Sequence, residues 1–287
     1  MTKLIDLHTH TSYSDGEYTP DELIKHAIKS DIGILGITDH DTIQGIKTVK
    51  EDDYKDIRII KGIELSAKVD KGRMHILGYG IDENNEILND KMSELRQNSI
   101  ISVTLILEQI RKDYEIVFSD EDVNNLLNAN HNIGRPDVAK LCIKYGYAST
   151  VDEAFKKYLI PAYSKTRKHS KGIPYQECIG LILASGGIPV LAHPTTLTLS
   201  KGELDILIRE MAIHGLRGIE VYHSNQSKKE SEYYLELANK YGLLVSGGSD
   251  FHGPIVKPDI KIGTGCNNNL KIKSLSLVDR LNRKKTC

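Results

Sequence analysis

His8 and His10 stand two positions apart, directly after the apolar run Lys3–Leu7. On an extended segment, residues at i and i+2 point to the same side, so both imidazoles can reach one ion. The arrangement recurs along the chain, with an apolar run followed at once by histidine or carboxylate. Asp15 follows the first pair; Ile34–Ile37 leads to Thr38, Asp39, His40 and Asp41; Ile59–Ile63 leads to Glu64. Farther on, Ile188–Leu191 leads to His193, Ile219–Tyr222 to His223, and Leu243–Val245 to the stretch containing Asp250 and His252. Mixed imidazole and carboxylate ligands suit zinc, manganese or iron, whereas magnesium prefers oxygen and water. The donors number about twice what one tetrahedral ion takes, which predicts two or three divalent ions. Ions a few ångströms apart clamp the attacking and leaving oxygens of a phosphoryl displacement. No Walker A loop, Rossmann glycine pattern or Ser-His-Asp arrangement competes for the chemistry.

Such donors meet only if the strand ends share one face. Seven runs rich in β-branched residues read as strands: Lys3–Leu7, Ile32–Ile37, Arg58–Ile63, Met74–Tyr79, Ile188–Leu191, Leu216–Val221 and Leu243–Ser246. Several are nearly continuous in apolar residues, as parallel strands buried on both faces are. Helical segments separate many of them. Thr19-Pro20-Asp21-Glu22 is a capping box opening a helix to about Lys29, Gly202 precedes a helix to about His214, and Ser227 caps one to Tyr241. Alternating strand and helix predicts an α/β fold with a parallel barrel or sheet, whose strand C-termini carry the site. The alternation breaks between Glu83 and Pro174, where Ile87–Tyr114, Ser119–Asn130, Pro136–Tyr145 and Thr150–Tyr158 read as helices. The expected organisation is therefore a barrel domain from residues 1–82 and 175–287, interrupted by a helical lid at 83–174. The lysine-rich tail Arg280–Lys285 reads as solvated.

The remaining composition narrows the class. The 287 residues suffice for one large domain, and a net charge of −1 gives no global field toward nucleic acid or membrane. An anionic substrate must then be held locally. Cys142, Cys178, Cys266 and Cys287 are far apart, without a CxxC pair, which fits a reducing cytoplasm. No apolar run approaches the ~18 residues of a membrane span, and the N-terminus has no signal-peptide pattern.

Each donor also has a plainer role open to it. A lone strand-end histidine such as His75 or His223 is more often a hydrogen-bonded structural residue. Asp15 can be a turn residue, and Asp39 and Asp41 can cap the following helix. His26, His131, His169 and His214 fall in helical or lid segments and read as structural. The set at successive strand ends outweighs these readings.

The motifs DLHTHTSYSDG, GITDHDT, GIELS, HILGYGID, LAHP, GIEVYHS and GGSDFHG, in this order, resemble the PHP (polymerase and histidinol phosphatase) family over nearly the whole chain. The resemblance is nearest to its stand-alone bacterial branch of nucleoside 3′,5′-bisphosphate phosphatases and 5′–3′ exoribonucleases. It implies a distorted (β/α)7 TIM-like barrel with a helical insertion. It also implies a trinuclear site: one ion on His8, His10, Glu64 and Asp250; a second sharing Glu64 with His75 and His193; a third on Asp15, His40 and His252. Ile133-Gly134-Arg135-Pro136 matches the family's GRP segment, with Arg135 the implied phosphate contact, although Asp137 stands where many relatives have histidine. The run Tyr163–Lys168, with Lys165, lies where relatives approach substrate.

The activity so implied is hydrolysis of a small phosphorylated nucleotide, such as a 3′,5′-bisphosphate, or of the 5′ end of a short RNA, by a metal-activated hydroxide. Asp250 and His223 are the expected catalytic residues, His223 protonating or orienting the leaving group. The lack of a basic excess disfavours duplex DNA. Two alternatives remain: a histidinol-phosphate phosphatase, and a non-catalytic metal-binding regulatory module.

Overall fold

Seven strands form one sheet in chain order: β1 (Leu4–Asp6), β2 (Ile32–Ile37), β3 (Arg58–Ala67), β4 (Met74–Tyr79), β5 (Ile188–Leu191), β6 (Gly218–His223) and β7 (Leu244–Gly248). The computed structural model describes residues 3–129, 131–166 and 173–284. Beyond β1 and β7 the first and last strands meet. Leu7 N donates to Gly247 O at 3.2 Å, Asp250 N to His8 O at 2.8 Å and His10 N to Phe251 O at 3.0 Å. These bonds close the sheet into a barrel and bring the segments carrying His8, His10, Asp250 and His252 side by side.

The strands expected over Ile32–Ile37, Met74–Tyr79 and Ile188–Leu191 match their bounds. The expectation of an all-parallel sheet fails at β4, which runs antiparallel to both β3 and β5. The cause is chain length: the short link between Ala67 and Met74 allows a hairpin but not the crossover that parallel neighbours require. Pairing with β4 also lengthens β3 past Ile63, so Glu64 lies within a strand opposite Leu77, and Ser66 faces His75. His75 therefore reaches the mouth from the start of its strand rather than from its end.

Helices Pro20–Lys29 and Lys228–Tyr241 start at the expected caps Thr19 and Ser227, each closed by a capping box with Glu22 and Glu230. The helix Lys201–Ile213 begins one step earlier than Gly202, because Ser200 and Glu203 form its capping box. Two further helices, Tyr175–Ala184 and Ser276–Lys284, carried no clear start signal in the sequence. Within the tail expected to be solvated, Arg280, Asn282 and Arg283 are exposed, but Leu281 is buried with Leu277 and Val278 against Leu7, Leu77 and Tyr79 in one apolar cluster. Lys285 lies outside the described residues.

The segment between β4 and β5 is helical, led by Glu86–Tyr114 and followed by Asp120–Leu127 and Arg135–Lys144. The last expected helix is longer than its pattern: Val151–Ala154 runs through a π-helical turn at Phe155–Leu159 into Ile160–Thr166. These helices share an apolar cluster of their own, including Val103, Ile106, Ile110, Val138 and Leu159. Asn132 ties this layer to the barrel mouth, its N–H donating to Tyr13 O at 2.9 Å and its side chain to His40 O at 3.2 Å. Among the described residues no helix is long and apolar enough to cross a membrane.

Candidate active site

Glu64 is fully buried, and five imidazoles surround its two oxygens. Oε2 lies 3.0 Å from His8 Nε2, 3.2 Å from His10 Nε2 and 3.3 Å from His40 Nδ1. Oε1 lies 2.8 Å from both His75 Nδ1 and His193 Nε2. A second centre forms around Asp15, whose Oδ1 is 3.1 Å from His252 Nε2 and 3.7 Å from His10 Nδ1. Asp250 joins the first, with Oδ1 at 3.3 Å from His10 Nε2 and 3.6 Å from His8 Nε2. The donor atoms of His8, His10, Glu64 and Asp250 lie within 4.8 Å of one another, as do those of His10, Asp15, His40 and His252. The nine expected ligand residues thus meet at one mouth.

The chemistry of this cluster fits cations. His10 Nδ1 and Nε2, Asp15 Oδ1 and His40 Nδ1 are buried without a hydrogen-bond partner. A buried polar atom without a partner is costly, and an ion bound between these groups would satisfy all of them. The rings are also oriented from behind. His252 Nδ1 lies 2.9 Å from Asp250 O, a carbonyl that can only accept, so Nδ1 carries the proton and the Nε2 lone pair faces Asp15. His193 Nδ1 is held by Thr196 Oγ1 at 3.1 Å.

Burial and charge pull the site's protons in opposite directions. Burial raises Glu64, but His40, His8 and His75 hold it well below the ordinary carboxylate value. Burial likewise raises Asp15 and Asp250, yet His252 and His40 for Asp15, and Lys257 and His252 for Asp250, hold them well below it. Burial opposes a charge on His8, but Glu220, Glu64 and Asp250 lift it well above the usual imidazole value. His10 is lifted against burial to about 9 by Asp250 and Glu64, whereas burial takes His40 down to about 3.

Some residues take roles the sequence left open. Asp39 does not cap a helix; it accepts from Thr11 N, Thr11 Oγ1 and Ser14 Oγ, each at 2.7 Å, and so holds the loop bearing Asp15. Asp41 accepts from Ser66 N at 2.8 Å. His223 Nε2 is 3.3 Å from Asp250 Oδ2, and its Nδ1 accepts from Asn225 N at 3.1 Å, so Nε2 carries the proton of the neutral ring. His26 packs 5.5 Å from the Phe251 ring and His214 6.0 Å from Tyr175, away from the mouth. His131 pairs with Asp137 at 3.2 Å, and Asp137 also accepts from Gly134 N at 2.8 Å, closing the start of its helix. His169, Arg167 and Lys168 lie outside the described residues.

Arg135 is half-buried, its guanidinium 4.4 Å from the Tyr163 ring and 5.7 Å from Phe155. No carboxylate among the described residues pairs with it; burial lowers its pKa, and Arg73 adds to the effect. Lys165, in contrast, is exposed and paired with Asp113 at 2.8 Å. A cavity of about 630 Å³ opens between the Asp15 loop and the helical layer, lined by Ser12, Ser14, Tyr18, His131 and Lys140 among others.

Two charged residues that contact the cluster were not singled out in the sequence. Glu220, fully buried in β6, was visible as a carboxylate between Ile219 and Val221 in a strand buried on both faces, where charge is rare. Lys257, whose Nζ lies 2.5 Å from Asp250 Oδ2, follows no motif and left no such signal.

A seven-stranded barrel with six imidazoles and three carboxylates gathered at one mouth is the frame of a metal-dependent phosphoesterase. The chain matches the PHP domain over residues 6–238 and belongs to that family. It is 33% identical over 268 residues to the 5′-3′ exoribonuclease Rnm of Salmonella typhimurium, covering 91% of this chain and 88% of the relative. It is 27% identical to the 3′,5′-nucleoside bisphosphate phosphatase of Chromobacterium violaceum, covering 87% of each. Among solved structures, one from Bifidobacterium adolescentis assigned to the metal-dependent phosphoesterases superposes with a TM-score of 0.80 at 27% identity, covering 99% of this chain and 97% of the other.

Proposed function

We propose that this chain hydrolyses a terminal phosphate ester of a small nucleotide, such as a 3′,5′-bisphosphate, or acts at the 5′ end of a short RNA. The observation that carries the proposal is Glu64, one buried carboxylate shared by five imidazoles beside partnerless polar atoms. His8, His10, Glu64 and Asp250 would hold one ion, Glu64, His75 and His193 a second, and Asp15, His40 and His252 a third, with manganese, zinc or iron all suited to the ligands. Bound there, divalent ions lower the pKa of water and offset charge on a phosphoryl group.

The protein's own groups do the rest. His223 presents an Nε2 proton beside Asp250, fixed by Asn225 N at the far side of the ring. In this reading it donates to the leaving oxygen as that oxygen gains charge. Arg135, stacked on Tyr163 and paired with no carboxylate among the described residues, offers its planar fork to a second phosphate. Lys165 reaches a substrate only by leaving Asp113. Residues 83–174 serve as a lid over the mouth, docked through Asn132.

The relatives named above act on nucleotides or RNA, which favours this substrate class over histidinol phosphate. The test is phosphate release by purified protein across nucleotide bisphosphates, monophosphates, histidinol phosphate and short 5′-phosphorylated RNAs, with manganese, magnesium and zinc in turn. Release from bisphosphates or RNA supports the proposal. No release from any substrate, with less than one ion bound per chain by metal analysis, sinks it in favour of a non-catalytic module.

A further inference from the structure

Asp250 divides its oxygens between two kinds of neighbour. Oδ1 faces the histidines, 3.3 Å from His10 Nε2, 3.4 Å from His252 Nδ1 and 3.6 Å from His8 Nε2. Oδ2 faces outward to Lys257 Nζ at 2.5 Å and His223 Nε2 at 3.3 Å. Among the described residues, Lys257 is the one lysine or arginine paired with a carboxylate of this cluster.

The backbone under Lys257 is tied on both sides. Ile255 N and Val256 N both donate to Glu17 Oε1 at 2.5 Å, Lys257 N donates to Gly253 O at 3.0 Å, and Ile260 N donates to Lys257 O at 3.1 Å. Glu17 belongs to the loop of Asp15, and its own N–H donates to His252 O at 2.9 Å. The segment bearing Lys257 is thus strapped across the mouth to the loop bearing another cluster carboxylate. Only the side chain, partly exposed on a flexible four-carbon stem, is free to change partner.

A cation bound on Oδ1 would neutralise part of Asp250 and repel an ammonium at Oδ2. The ammonium would then be free for another anion, and His223 Nε2 is aimed at the same Asp250 Oδ2. We propose that Lys257 is a substrate-contacting catalytic residue, its ammonium donating to a non-bridging oxygen of the phosphoryl group under attack, opposite the ion cluster. A lysine acts there as a point charge on phosphate, strengthening as negative charge builds in the transition state. This inference rests on the phosphoesterase function proposed above.

The test compares wild type, Lys257→Ala and Lys257→Arg as full chains loaded with manganese. Turnover and KM are measured, with two readouts that need no turnover: affinity for manganese and affinity of the loaded protein for inorganic phosphate, both by calorimetry. Lys257→Ala is expected to lower kcat/KM by about 100-fold or more and to weaken inorganic phosphate binding by roughly tenfold, with manganese affinity unchanged or higher. Lys257→Arg is expected to recover part of both. Phosphate affinity equal to wild type in Lys257→Ala, with manganese affinity raised, would overturn the inference and leave Lys257 a counter-ion of Asp250. A fall in manganese affinity together with thermal stability would overturn it in favour of a loop-holding role. If wild type releases phosphate from nothing, the phosphate-binding comparison still decides the role of Lys257.

Discussion

Glu220 grips His8 from behind: its Oε1 lies 2.9 Å from His8 Nδ1, while its Oε2 accepts from the His193 backbone N–H at 2.7 Å. One carboxylate in β6 thereby sets the ring of a residue after β1 and the backbone of a residue after β5. With Nδ1 bound to Glu220, His8 aims Nε2 at Glu64 and Asp250, the direction a metal-ligating imidazole needs once that nitrogen has lost its proton. His193 has φ of 24°, a conformation that a non-glycine residue rarely adopts, and the Glu220 bond is one of the contacts that hold it.

Replacing Glu220 by Gln tests this grip. An amide has one acceptor oxygen for two N–H donors, so either His8 or His193 meets an NH2 group instead. Metal affinity is expected to fall about 10–100-fold, with far-UV circular dichroism unchanged. Manganese calorimetry on wild type and Glu220→Gln reads it; equal affinities would remove Glu220 from the site's function.

Metal binding should depend on pH above neutrality. In the metal-free protein the carboxylates hold His8 well above its ordinary value and His10 at about 9. A folded-state pKa raised above the unfolded one stabilises the fold below about pH 6.5, and that contribution disappears as pH rises through about 9. The metal-free protein should therefore lose stability from pH 6.5 to 9, while manganese, which must displace these protons, binds more tightly over the same range. Thermal melts with and without manganese, and calorimetry in buffers of different ionisation enthalpy, check both signs. An affinity flat between pH 7 and 9 contradicts the prediction.

Arg135 should matter for recognition more than for turnover. Truncating a charge-assisted contact of about 1.5–3 kcal/mol predicts a rise in KM of roughly 10–100-fold for Arg135→Ala with a nucleotide bisphosphate. The effect should shrink for a substrate with a single phosphate. Side-by-side kinetics on the two substrates decide it, and equal losses on both would place Arg135 at the reacting phosphate instead.

The C-terminal helix should carry stability. Leu277 is fully buried among residues of the barrel strands. Leu277→Ala is expected to cost about 2–5 kcal/mol, read as a lower midpoint in urea unfolding, with metal content per folded chain unchanged. A loss under 0.5 kcal/mol would remove this helix from the stability of the barrel.

Much of this was legible before folding. Strands buried on both faces must be apolar throughout, so β2, β4 and β5 stand out as runs, and the caps Thr19 and Ser227 mark their helices through local hydrogen bonds alone. The candidate ligand residues were legible because a barrel places its strand ends together, so donors after successive runs had to meet. Other features left fainter traces. Ser276–Lys284 is rich in charge, and only the burial of three of its residues makes it a helix of the core. Lys257 sits in a loop whose sequence resembles any other.

By itself, then, the sequence determined the candidate ligand types, their order and the family, because these depend on residue identity and on neighbours along the chain. The tertiary structure alone decided how those ligands are shared and oriented. The antiparallel turn of β4 delivers His75 to Glu64 from an unexpected direction, β6 sets Glu220 behind the His8 that follows β1, and a strapped loop brings Lys257 to Asp250. Each of these joins residues far apart in the chain, and such contacts depend on register and loop path rather than on any local preference. The His8 and His10 pair was readable at the outset; what makes it one side of a shared, buried and gripped centre is the closing of the barrel around Glu64.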